Sequence, residues 1–145
     1  MAYTKNLTCM SCKTVNKIPE DKLGAGPKCG SCGKPLAEGQ VHDTDLATVL
    51  KCTANDELPV VVDMWAPWCG PCRTMAPEFD KAAKQMKTGA RFAKINTDVH
   101  KNASQRFNIR GIPALLLFKN GKEIARHAGV MRSNELVKWV KTRSM

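Results

Sequence analysis

The pentapeptide Trp68-Cys69-Gly70-Pro71-Cys72 stands where one hydrophobic pattern gives way to another. Before it, Val60-Val61-Val62-Asp63-Met64-Trp65 is apolar and β-branched, the pattern of a buried strand; after it, Met75, Phe79, Ala82, Ala83 and Met86 recur at the spacing of one helix face. Two thiols are thereby set one turn apart at a helix N-terminus. Unpaired backbone N–H groups and the positive end of the helix dipole favour thiolate there, so Cys69 is expected to be nucleophilic near neutral pH. Pro71 suits the first turn, where a missing N–H leaves no helical bond unmade. The same turn is expected to expose Cys69 and to bury Cys72, separating an attacking sulfur from a resolving one.

Asp63 lies inside the apolar strand, six positions before Cys69. Burial disfavours its charged form and raises its pKa, so it can exchange a proton near neutrality. A structural pairing with Lys94 on the adjoining strand is the plainer alternative. Further along, Arg91–Asn96 reads as a second parallel strand, and a short helix runs to about Phe107. Leu115–Phe118, the Asn120-Gly121 turn and Lys122–Ala128 read as a hairpin with a type I′ turn. Pro77 falls inside the long helix and is expected to bend it. Asp43 or Thr44 is expected to cap a helix bearing Leu46, Val49 and Leu50, with Cys52 partly buried on its flank, and Ser133 to cap a final helix. Strands alternating with helices before a hairpin predict an α/β fold, a mixed central sheet with helices on both faces.

From about Val41 to the C-terminus these features together resemble the thioredoxin family: the Trp-Cys-Gly-Pro-Cys motif, Asp63, Pro77, Lys94, Ile112-Pro113, Asn120-Gly121 and Gly129 fall where that family has them. Met64 departs from it, standing where Phe is common. The resemblance implies the thioredoxin fold and reduction of disulfides in other proteins, with Cys69 as nucleophile, Cys72 as resolving thiol and Asp63 as the base behind Cys72. Gly70, Pro71 and Lys94 would support that chemistry. An X-Pro bond is cis in only about one case in twenty, yet the resemblance implies a cis Ile112–Pro113 bond facing the cysteines. Trp68, Gly70, Pro71, Ile112, Pro113, Gly129 and Val130 would then form an apolar docking surface for substrate. The implied partners are disulfide-containing proteins and an NADPH-dependent thioredoxin reductase. The chain has no Gly-rich dinucleotide motif, so no bound organic cofactor is expected.

Residues 1–38 read as a separate module ahead of a domain spanning 39–145, with a linker near Gly39. Cys9-x-x-Cys12 and Cys29-x-x-Cys32 are separated by sixteen residues, the spacing of a four-cysteine zinc site. Gly30 and Gly33 are expected to supply the positive φ that such knuckles need. The apolar residues Leu7, Val15, Ile18, Leu23 and Leu36 are too few to fold the module unaided, and metal binding would supply about 10 kcal/mol. Cys9, Cys12, Cys29 and Cys32 leave no open coordination position, so one structural zinc ion is expected; a pair of disulfides is the alternative. The added module resembles that of the zinc-containing bacterial branch of the family. Oxidation of its thiolates under oxidative stress would release metal, a regulatory hypothesis.

The chain carries 23 basic and 13 acidic residues, a net charge of +10, spread along its length. Residues 1–40 hold six Lys, no Arg and one aromatic residue, Tyr3. Base readout and stacking on nucleic acid are therefore poorly supplied. No apolar run reaches bilayer length or resembles a signal sequence, and a cytoplasmic monomer is expected. Seven cysteines in a reducing compartment point to metal ligation and redox chemistry. The competing reading is a zinc-module protein that binds clients or nucleic acid under redox control.

Overall fold

The computed structural model describes residues 3–144. Its first element is a small antiparallel hairpin of β1 (Thr4–Thr8) and β2 (Val15–Pro19), followed by a 3₁₀ turn, Glu20–Ala25. Then come β3 (Val41–Asp43), α1 (Leu46–Asn55), β4 (Val60–Trp65), α2 (Gly70–Gln85), β5 (Arg91–Asn96), α3 (Lys101–Arg106), β6 (Ala114–Lys119), β7 (Lys122–Ala128) and α4 (Ser133–Ser144). The central sheet has the order β3-β5-β4-β6-β7. Strands β3, β5 and β4 run parallel, whereas β6 and β7 are antiparallel.

Side chains alternate across a strand, and both faces of this sheet are covered. Val60, Val62, Met64, Ile95 and Leu116 meet Val49 and Cys52 of α1, Ala103 of α3 and Phe107 on one face. Val61, Phe92, Leu115 and Leu117 meet Met75, Phe79 and Ala82 of α2 and Leu136 and Val140 of α4 on the other. That double covering explains why β4 reads as one continuous apolar run. It also makes Asp63, at 3% exposure, a buried acid in the middle of the sheet.

Details of the helix ends differ from expectation. Asp45, rather than Asp43 or Thr44, caps α1, its carboxylate accepting from Thr48 N–H at 2.8 Å. Ser133 begins α4, and its N–H donates to Glu78 Oε1 of α2 at 2.9 Å. Cys52 is fully buried rather than half-buried, and its thiol donates to Asp56 Oδ2 at 3.2 Å.

The segment at Gly39 is packed against the main body. A Cβ there would stand 2.8 Å from Lys84 Cα, so close an approach to α2 admits only glycine. The N-terminal hairpin is fastened by a buried network. Arg91, at the start of β5, pairs with Asp56 and donates through Nη2 to the Thr8 carbonyl at 3.0 Å, while Thr8 N–H donates to Asp56 Oδ1 at 2.7 Å. Leu58 joins Leu7, Ile18, Leu23 and Leu36 in the small core beneath the hairpin.

Candidate active site and metal centre

Strand β4 ends at Trp65, and α2 begins at Gly70 with Cys69 as its N-cap. Cys69 and Cys72 are joined as a disulfide. Cys72 N–H donates to Cys69 Sγ at 3.2 Å, so the first sulfur occupies the place of a capping oxygen and receives one of the helix's free N–H groups. Such a bond favours negative charge on Cys69. The expected contrast in exposure is absent: Cys69 is 4% exposed and Cys72 3%. Ala66, Trp65 and Ile112 pack around the pair, which covers the first sulfur almost as well as the second.

Asp63, Trp65, Cys72 and Lys94 line one small pocket of about 60 Å³, with the exposed Arg73 and Asp80 also on its wall. Burial pushes the Asp63 carboxyl up to about 7, against a smaller opposing pull from the Lys94 charge. Asp63 Oδ1 has no hydrogen-bond partner among the described residues, nor has Trp65 Nε1. Lys94 stands beside Asp63 in the β4–β5 register, but the two side chains form no ion pair among the described residues. Its ammonium instead lies over the Trp65 ring, 4.9 Å from the centroid, an arrangement stabilised by the ring's negative face. The plainer structural pairing of Asp63 with Lys94 is thus replaced by a longer-range interaction.

The Ile112–Pro113 bond is cis, as the family resemblance implied. The Ile112 carbonyl oxygen lies 3.8 Å from Cys69 Sγ. Gly129 N–H donates to the Pro113 carbonyl at 2.9 Å, which brings Gly129 and Val130 to the same end of the sheet. Trp68 and Val130 are 67% and 42% exposed, Pro71 is exposed, and Gly70 and Ile112 are half-buried. Trp68 is fixed by its indole N–H donating to Asp98 Oδ1 at 3.1 Å. Asp98 was missed in the sequence because the loop that carries it has no motif of its own.

The other cysteines form a second centre. Cys9, Cys12, Cys29 and Cys32 place their sulfurs within 4.8 Å of one another, with Cys9–Cys32 and Cys12–Cys29 each at 3.6 Å. Tetrahedral zinc with Zn–S bonds of about 2.3 Å holds its sulfurs about 3.8 Å apart, so the set fits that ion. None of the four is in a disulfide. In each knuckle the residue after the second cysteine takes a positive φ, Lys13 at 68° and Gly33 at 78°, and its N–H returns to the first cysteine's carbonyl at 2.8 Å. Gly30 is not in that conformation; its N–H donates to Asn16 Oδ1 at 3.0 Å. The Cys29 thiol is drawn down to about 6, first by the Cys32 backbone N–H and then by the Asn16 amide, while at Cys32 the downward pull of the Lys34 backbone N–H is outweighed by burial and the neighbouring thiols, which push the thiol up to about 11.

A helix-capping cysteine pair beside a cis proline, on this sheet, agrees with the family comparisons. The Thioredoxin family model matches residues 40–142. This chain belongs to the thioredoxin family. The model for Thioredoxin 2, N-terminal, matches residues 8–34, which makes the four-cysteine module a zinc ribbon. Among similar thioredoxins, Thioredoxin C-3 of Corynebacterium nephridii is 40% identical over 137 residues, covering 92% of each chain. The thioredoxin of Haemophilus influenzae is 34% identical over 100 residues, covering 69% of this chain and 91% of its own. The structure of the Malassezia sympodialis thioredoxin superposes with a TM-score of 0.64 at 27% identity, over 72% of this chain and 90% of that one. Chloroplastic thioredoxin z, at 24% identity and a TM-score of 0.68 over 72% of this chain and 95% of its own, shares the fold. The protein is therefore a thiol-disulfide oxidoreductase whose redox-active pair is Cys69–Cys72. No helix among its described residues is long and apolar enough to cross a membrane.

Proposed function

We propose that this thioredoxin works as a reductant of disulfides in other proteins, with Cys69 as the attacking thiol. The observation that carries the reading is the Cys72 N–H bond to Cys69 Sγ at the start of α2, which singles out one sulfur of the two for negative charge. Cys69 thiolate attacks a substrate disulfide, forming a mixed disulfide and expelling the substrate's second sulfur as thiolate. Cys72 then gives up its proton and attacks Cys69, releasing the remaining substrate thiolate and leaving the Cys69–Cys72 disulfide.

Asp63 is the base for Cys72. It shares a cavity with that thiol, and its carboxyl, pushed up to about 7, is matched to proton transfer near neutrality. The cavity is larger than one water requires and holds the unpartnered Asp63 Oδ1, so transfer through a bridging water is open to it. Lys94 moderates the Asp63 pKa and, with Gly70 and Pro71, shapes the site. Trp68, Ile112, Pro113, Gly129 and Val130 receive the substrate, whose extended backbone pairs at Ile112 by strand addition. An NADPH-dependent thioredoxin reductase in the cytoplasm regenerates the dithiol. Cys9, Cys12, Cys29 and Cys32 hold one structural zinc ion, closing a module of residues 1–38 ahead of the redox domain.

Reduction of insulin by NADPH and thioredoxin reductase tests the reading with wild type, Cys69→Ser and metal-stripped protein. Turnover by wild type and none by Cys69→Ser is expected. Equal turnover by both would remove the assignment.

A further inference from the structure

A groove of about 310 Å³ opens beside the Ile112–Pro113 bond, lined by Ile109, Arg110, Ala114, Arg126, His127 and Ala128 among others. It is continuous with the docking surface, since Arg110 and Gly111 lead into Ile112, and Ala128 leads into Gly129, whose N–H bonds the Pro113 carbonyl. The lining includes apolar residues and two guanidinium groups, and it contains no carboxylate.

The two arginines are not equivalent. Arg126 is engaged by Glu123 through two bonds, at 2.6 and 2.8 Å, and donates to the Phe107 carbonyl at 2.9 Å. Arg110 is exposed and has no ion-pair partner among the described residues.

Extended chain advances about 3.3 Å per residue. The Ile112 carbonyl lies 3.8 Å from Cys69 Sγ, and Arg110 stands two residues before Ile112. A client strand with its cysteine at Cys69 that follows this loop therefore carries a residue two or three positions away toward the Arg110 end of the groove. We propose that this groove selects disulfide substrates carrying an aspartate or glutamate two to three residues from the attacked cysteine, with Arg110 as the recognition residue. The proposal rests on the reductase reading above. Guanidinium suits the task because its planar fork meets a carboxylate with two parallel bonds. The pair is solvent-exposed, so the expected preference is about three- to five-fold and is screened by salt.

The test uses prereduced full-length protein and symmetric peptide disulfides that differ only in bearing Glu, Gln or Lys at the third position, on either side of cysteine. Single-turnover rates are read from acid-quenched samples as released peptide thiol. Wild type should favour Glu over Lys on at least one flank, and the preference should fade at high salt. Arg110→Ala should abolish it without slowing the Gln peptide, and Arg110→Glu should turn it toward Lys. Equal rates for all three peptides with wild type, a preference that survives in Arg110→Ala, or a uniform loss across the peptides in that variant would each overturn the proposal while leaving the reductase reading in place. Failure of wild type to reduce any of the peptides would remove both.

Discussion

The ribbon and the redox domain use the same Cys-x-x-Cys spacing to opposite ends. In the ribbon, the residue after each second cysteine bends the chain back at positive φ, and the sulfurs of one pair come within 3.6 Å of those of the other. In the domain, the chain continues into α2 with Pro71 in its first turn, and Cys69 and Cys72 bond to each other. Spacing alone therefore does not choose between metal and redox chemistry. The backbone that follows the second cysteine does, because it sets whether two sulfurs face each other or face outward together.

The sharpest way to break this comparison is to strip the proposed zinc ion. Structural zinc in such a module supplies about 10 kcal/mol of folding free energy, so chelation or Cys32→Ser should unfold the hairpin of β1 and β2. Amide exchange there should lose its protection while Cys69–Cys72 exchange persists. Loss of insulin reduction on stripping would show that the two regions are not separable.

The seam between them gives the next largest effect. Arg91 and Asp56 are 3% and 0% exposed at their side chains. Removing one partner of a buried pair leaves the other uncompensated at a cost of about 3–5 kcal/mol. Arg91→Met should lower stability by that much in denaturant titration of the zinc-loaded protein, and adding Asp56→Asn, which removes the orphaned charge but keeps an oxygen for the Thr8 N–H, should restore part of it.

Asp63 offers a test confined to the redox domain. Its folded pKa is raised from 3.8 to about 7, so the native state binds the proton more tightly than the unfolded chain does. Its contribution to stability is greatest below pH 4, falls as pH rises to about 7, and is level above that. Asp63→Asn should accordingly stabilise the fold by a few kcal/mol at pH 8 and change it little at pH 4. It should also slow insulin reduction by about a hundred-fold or more at pH 7.

The smallest effect lies in the knuckles. Gly33 has φ of +78° with open space around its Cα, so Gly33→Ala meets only the backbone penalty of about 1–2 kcal/mol, read as a lower melting temperature of the ribbon. Gly30→Ala should be close to neutral.

Most of this architecture was legible in the sequence where a periodic pattern and a motif agreed. Val60–Trp65 and the segment after Cys69 were read correctly because both faces of the sheet are covered and α2 is amphipathic. The hairpin at Asn120-Gly121 was read from its turn residues. Elements whose stability comes from tertiary contact were less legible. Strand β3 is only Val41–Asp43, and it is held by β5 rather than by its own propensity. The Arg91–Asp56–Thr8 network joins residues up to 83 apart in sequence, so no local pattern announced it. Cys52 was misjudged for the same reason: its surroundings include Asp56 and Met10, and the latter belongs to the ribbon. The burial of Cys69 by Trp65 and Ile112 likewise depends on a loop that returns from more than forty residues away.

The central claim concerns the unequal chemistry of two sulfurs that are almost equally buried. Alkylation of the reduced protein by iodoacetamide across pH 5–9, with each site resolved by mass spectrometry, measures it most directly. Cys69 should react first, with a titration midpoint well below that of an ordinary thiol, and Cys72 and Cys52 should lag far behind. Reaction of Cys72 at the same rate, or a Cys69 midpoint at the value of a free cysteine, would contradict the account.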